Sequence, residues 1–222
     1  MDFRNHERAV TIPMDAAIHQ GALGVPTAAK GLVLFAHGSG SGRLSPRNNY
    51  VARILRDKVV GTLLFDLLTE AEDRIYDNRF DIDLLTHRLL LATQWAGQQA
   101  ATRGLKFGYF GASTGAAAAL RAAAALGAVI GAVVSRGGRP DLALDDLARV
   151  QAPTLLIVGG NDAVVIELNR AAYRELCGEK ELKIIPGATH LFEEPGTLEQ
   201  VAAAAADWFR RHLNGKYAAS WN

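Results

Sequence analysis

The chain has 222 residues, 49% hydrophobic and 21% charged, with 24 basic against 23 acidic side chains for a formal net charge of +1. That size and balance suit one large domain that buries most of its surface, and they exclude a general electrostatic pull toward nucleic acid or an anionic membrane. The single cysteine, Cys177, excludes an intramolecular disulfide. With a charged N-terminus that lacks a signal-peptide core, the expected compartment is the cytoplasm.

Residues 1–30 differ in pattern from the rest of the chain. AVTIPM and the stretch around AAIHQGALGVP suggest one or two strands joined by short turns, forming an antiparallel edge. From there, short apolar runs rich in β-branched residues recur at 31–38, 61–68, 105–113, 128–136, 153–162 and 181–190. They are nearly continuous in hydrophobicity, as strands covered on both faces should be. Helical stretches lie between them: Asn49 to Lys58, Asp81 to Gln99, Thr114 to Leu126, Leu142 to Val150, Val165 to Cys177 and Thr197 to Leu213.

This alternation predicts a single α/β domain over residues 1–222, with a mainly parallel twisted sheet and helices on both faces. The segment Ala116 to Val134 is the one apolar stretch of membrane-spanning length. Arg121 interrupts it and Gly127 divides it into a helix-like and a strand-like half, so it is expected to be buried αβ. The tail from 214 to 222 is expected to fray.

Gly111-Ala112-Ser113-Thr114-Gly115 fits G-x-S-x-G. The pattern alone is weak in a chain with 22 glycines, but a strand-like run enters it and an alanine-rich helical run leaves it. That is the strand–turn–helix setting of a nucleophile elbow, which raises a serine hydroxyl above the sheet.

A serine hydroxyl needs a base within reach. Of the six histidines, His6 lies in the N-terminal segment, His19 in the early strands, and His87 and His212 on amphipathic helices. His190 follows the last strand-like run, at the carboxyl edge of the sheet where catalytic groups gather in such folds. Asp162 ends the run TLLIVGGND, and Ser113, Asp162, His190 then stand in hydrolase order. Asp162 could instead cap the following helix. Asp141 is the reserve acid, but it follows the wrong strand.

HGSGSG, GASTG, GGND and GATHLF, in this order from about Lys30 to Leu213, resemble the α/β-hydrolase superfamily, and in particular small dienelactone-hydrolase-like proteins. The resemblance implies a serine hydrolase acting on a small-molecule carboxylic ester through Ser113, His190 and Asp162. It also implies an oxyanion hole made by the backbone N–H groups of Ser39 and Thr114. Dienelactone hydrolases proper use a cysteine at the elbow; this chain has Ser113, and Cys177 lies off the motif, so an ordinary ester is the expected substrate.

His37 is expected to be structural. Gly38 and Gly40 would let substrate approach the backbone closely. Arg43 and Arg47, and Arg136 and Arg139, fall on carboxyl-edge loops. Arg43 and Arg136 are candidates to bind substrate, although pairing with Asp66 or Glu70 is the favoured expectation.

Only 17 residues, Arg136 to Ala152, separate two strands where a helical cap would be inserted, so no cap domain and a shallow, open pocket are expected. No metal-ligand spacing, P-loop or dinucleotide fingerprint stands in the sequence, and no cofactor is implied. The alternatives are a catalytically idle ligand-binding protein on the same fold, and an acyltransferase, lactonase or amidase using the same three residues.

Overall fold

Five strand segments, at 31–36, 61–65, 106–112, 130–136 and 154–159, are almost wholly apolar and can hide only in the middle of a layered structure, and that is where they lie. The computed structural model describes residues 7–214. In chain order the elements are β1 (Glu7–Met14), β2 (Ala17–Gly24), β3 (Gly31–Ala36), α1 (Pro46–Asp57), β4 (Gly61–Phe65), α2 (Glu70–Asp73), α3 (Ile82–Gln98), β5 (Lys106–Ala112), α4 (Thr114–Leu126), β6 (Ile130–Arg136), α5 (Leu144–Leu147), β7 (Thr154–Gly159), α6 (Ala163–Glu175), β8 (Lys180–Ile185) and α7 (Thr197–His212). The strands form one sheet in the order β1-β2-β4-β3-β5-β6-β7-β8. From β4 to β8 all neighbours are parallel, while β1 and β2 form an antiparallel hairpin whose second strand runs antiparallel to β4.

Two apolar layers cover the sheet. Leu34, Tyr109, Val133 and Leu156 face α3 and α4, and Val33, Phe110, Val134 and Ile157 face α1 and α7. Each fully buried aliphatic side chain here is worth about 1.5–3 kcal/mol relative to exposure. Ala116, Ala117, Ala118 and Ala119 of α4 are all fully buried, so the helix lies close on the sheet. The apolar stretch Ala116 to Val134 is thus α4 and β6, broken at Gly127, whose φ is 53°. Among the described residues no helix is long and apolar enough to cross a membrane.

The fold is the expected single-sheet α/β architecture, with corrections at its edges. The helix anticipated from Leu142 to Val150 is a 3₁₀ turn at Pro140–Ala143 followed by one turn of α5. Too few positions there face the core, and the chain must extend before Pro153. Either way the β6–β7 connection holds no cap domain. Helix α6 ends at Glu175, so Cys177 is exposed beyond it rather than on it. The tail expected to fray lies, beyond Asn214, outside the described residues, as does His6.

Candidate active site

Strand β5 runs buried between β3 and β6 and delivers the chain to Ser113 at the carboxyl edge. There the backbone turns sharply, with Ser113 at φ 51° and ψ −121°. A non-glycine residue in that region costs about 1–3 kcal/mol and persists only where the surroundings fix it. They do so here: the Ser113 N–H donates to the Arg136 carbonyl (3.3 Å), and the Ser113 carbonyl accepts from the N–H of Ala116 (3.0 Å) and of Arg139 (3.1 Å). The flanking glycines of the motif are steric requirements. A Cβ on Gly111 would sit 2.4 Å from Ala116 Cα, and one on Gly115 would sit 2.2 Å from the Ala36 carbonyl oxygen.

Asp162 follows β7 immediately before α6, yet its side chain makes no capping hydrogen bond to that helix. Its Oδ2 lies 2.7 Å from His190 Nδ1. With Nδ1–H donated to a carboxylate, the neutral ring keeps its lone pair on Nε2, the arrangement a general base requires. The ring rests on Gly137, where a Cβ would come within 3.5 Å of Cε1 and Nδ1. Gly137 directly follows the Arg136 whose carbonyl holds Ser113. Glu194 braces the residue before His190, accepting from the Thr189 hydroxyl (2.6 Å) and N–H (3.1 Å). Ser113, Asp162 and His190 thus lie just past β5, β7 and β8 on one edge of the sheet; His190 is bonded to Asp162, while no hydrogen bond joins the Ser113 hydroxyl to His190 among the described residues.

The β3–α1 loop closes the site from the other side. A Cβ on Gly38 would lie 3.1 Å from Ser113 Cβ, so backbone abuts the serine directly. His37 pins this loop: its Nδ1–H donates to the Gly38 carbonyl (3.0 Å), and the Leu67 N–H donates to its Nε2 (2.9 Å). Burial pushes the imidazolium pKa of His37 below its ordinary value, so the ring is structural, as its place in the sequence suggested. Gly40 has φ 66°, a turn that favours glycine. Among the described residues neither the Ser39 nor the Thr114 N–H has a hydrogen-bond partner, and Thr114 opens α4.

The basic side chains separate into three paired ones and one that stands apart. Arg43 donates to Asp66 from both its N–H and its guanidinium, each at 2.7 Å, the structural pair that the sequence favoured. Arg47 meets Glu193 (3.0 Å) and Arg139 meets Asp141 (2.7 Å), which occupies the reserve acid. Arg136 is not on a loop: it is the last residue of β6 and is only 8% exposed. Its Nε and Nη1 are buried without a partner among the described residues, and its guanidinium lies 5.9 Å from the Phe192 ring centroid. Burial, and secondarily the charge of Arg47, pulls its pKa down to about 10.

Sequence reasoning passed over His19, although the period-two alternation of β2 places it on the inward face. It also left the segment from Leu67 to Arg79 as a loop. That segment contains α2, with a capping box between Thr69 and Glu72, and most of a 3₁₀ turn at Tyr76–Phe80.

A mainly parallel sheet with a strained serine at the strand–helix turn, and an aspartate-bound histidine from later loops, defines an α/β-hydrolase. The chain belongs to the dienelactone hydrolase family, whose model matches residues 62–215. It is 52% identical to a dienelactone hydrolase from Anabaena variabilis, with a TM-score of 0.92 over 95% of this chain and 100% of that one. Est1E from Butyrivibrio proteoclasticus shares the fold at 17% identity, with a TM-score of 0.81 over 93% of this chain and 99% of that one. A Mycobacterium tuberculosis protein named a putative phosphoribosyl transferase is 60% identical over 88% of this chain. The chain spans only 44% of that relative's length.

Proposed function

We propose that this hydrolase cleaves small-molecule carboxylic esters through an acyl-enzyme on Ser113. The observation that carries the reading is the left-handed serine at the elbow together with the 2.7 Å contact between His190 and Asp162. His190 Nε2 takes the Ser113 proton as Oγ attacks the ester carbonyl. The N–H groups of Ser39 and Thr114 receive the negative charge that develops on the carbonyl oxygen. His190 then returns the proton to the leaving alcohol, and water, deprotonated by the same nitrogen, releases the acid and restores Ser113. Asp162 fixes the tautomer and steadies the imidazolium. Gly38 and Gly40 let the ester carbonyl approach the backbone, and no cofactor enters any step.

Hydrolysis of p-nitrophenyl esters from acetate to octanoate tests this. Ser113→Ala is expected to lose on the order of 10⁴-fold or more of the turnover while its circular dichroism is unchanged. A wild type that hydrolyses no ester and is not labelled by a fluorophosphonate would instead support a binding protein on a hydrolase fold.

A further inference from the structure

The inward face of a strand usually carries aliphatic residues, and β2, between β1 and β4, places Leu23 and Gly21 there. Its third inward position is His19, at 2% exposure. The Nδ1 of His19 lies 2.8 Å from the Asp66 carbonyl oxygen, so Nδ1 carries the hydrogen. In the neutral ring Nε2 is then a bare acceptor, and among the described residues this buried atom has no partner. A fold retains such an atom at a cost unless something outside the protein satisfies it.

The imidazole lines a cavity of about 430 Å³ between β2, the β3–α1 loop and the segment after β4. That volume lies within the range of small-molecule sites. The cavity shares His37, Leu68 and Asp73 with the crevice over Gly38, Ser39 and Gly40. The hollow beside β2 and that crevice therefore border the same three residues, next to the loop against which Ser113 rests.

Its polar lining is rich in acceptors. Asp66, Glu70 and Asp73 line it; Arg43 holds Asp66 and Arg79 holds Asp73, which leaves Glu70 as the carboxylate without an ion pair among the described residues. Such a lining welcomes hydrogen-bond donors and repels carboxylates.

We propose that this cavity is a substrate subsite for a hydroxyl-bearing part of the ester, with a substrate hydroxyl donating to His19 Nε2. The inference rests on Ser113 being the nucleophile and adds what that reading lacks, the chemical class of the substrate. A site built to satisfy a buried acceptor discriminates sharply against the analogue that lacks the donor.

The test compares propyl butyrate with glycerol monobutyrate, which carries hydroxyls on the alcohol side, and with propyl glycerate, which carries them on the acyl side. Carboxymethyl butyrate serves as the anionic control. Wild type is expected to favour at least one hydroxylated ester over propyl butyrate by about tenfold or more in kcat/KM, and to disfavour the anionic one. His19→Asn keeps a donor near the Nδ1 position but has nothing at Nε2. It should erase that preference, bringing the hydroxylated esters down to the level of propyl butyrate. Glu70→Gln, on the exposed rim, should relieve the penalty on carboxymethyl butyrate without touching His19.

Equal turnover of the hydroxylated and plain esters by wild type would overturn the proposal, as would a His19→Asn loss of the same size on every ester. Failure to turn over any ester would strike the catalytic reading instead. Calorimetry on Ser113→Ala then reads the subsite alone. Tighter binding of a hydroxylated ester than of propyl butyrate supports it, and equal binding overturns it.

Discussion

The parallel part of the sheet, β3 to β8, and the antiparallel flank of β1 and β2 are built by different means. In the parallel part, the candidate site is made by backbone shape: a serine at φ 51°, glycines whose Cβ would come within 2.2–2.4 Å of backbone atoms, and loops hung on strand ends. In the flank the backbone is an ordinary hairpin, and what the proposed subsite draws from its inner face is one side chain, His19. The first kind of site constrains which residue types can stand at several positions at once. The second constrains a single position, and leaves almost no trace outside the folded molecule.

Asp162→Asn gives the largest separation of the two parts. The amide cannot hold His190 in the same tautomer, and ester turnover should fall on the order of 10³- to 10⁴-fold with the thermal midpoint little changed. A loss below about tenfold would mean that the aspartate does not orient the base.

Two glycine-to-alanine changes compare the backbones directly. Gly115→Ala must displace the Ala36 and His37 carbonyls, at 2.2 and 2.4 Å, and should cost about 3 kcal/mol or more. Gly21→Ala, on the flank, meets nothing closer than Val10 Cγ2 at 3.0 Å and should cost about 1 kcal/mol or less. Equal costs in chemical denaturation would remove the contrast. A smaller effect has the opposite sign. Ser113→Gly relieves the left-handed turn, and should be more stable than Ser113→Ala by about 1 kcal/mol although both are inactive.

How much was legible follows the same division. The bounds of α4 could be read in full, because GASTG and the alanine run obey one steric logic, and Ser113, Asp162 and His190 fell on strand ends that the apolar runs already marked. The pairing of Arg43 with Asp66 was an expectation that the loop geometry met. Burial of Arg136 was not foreseen, because an arginine closing an apolar run looks like the start of a loop. The stretch from Leu142 to Val150 has the composition of a helix, but its length is set by Pro153 and by what α4 and α6 leave uncovered. His19 was passed over because a histidine in a strand has many ordinary uses, and only the cavity beside it distinguishes this one.

His37 stands at the seam of the two parts, and it supplies the smallest effect. One ring nitrogen holds the loop beside Ser113, and the other receives the Leu67 N–H from the segment that borders the flank cavity. Burial lowers its folded-state pKa below the unfolded 6.5. The unfolded chain therefore takes up a proton first as pH falls, and the native state loses stability from about pH 6.5 downward until the folded ring itself protonates. Above pH 7 the contribution is fully present. Thermal midpoints measured from pH 7.5 to 5 should decline in wild type by a few degrees more than in His37→Gln, at roughly 2–4 °C for each kcal/mol. Parallel declines would place the proton uptake elsewhere, first at His212, whose pKa burial also lowers against the pull of Glu179. A decline confined to wild type would show that protonating one ring loosens the contact through which the two parts of the sheet edge hold each other.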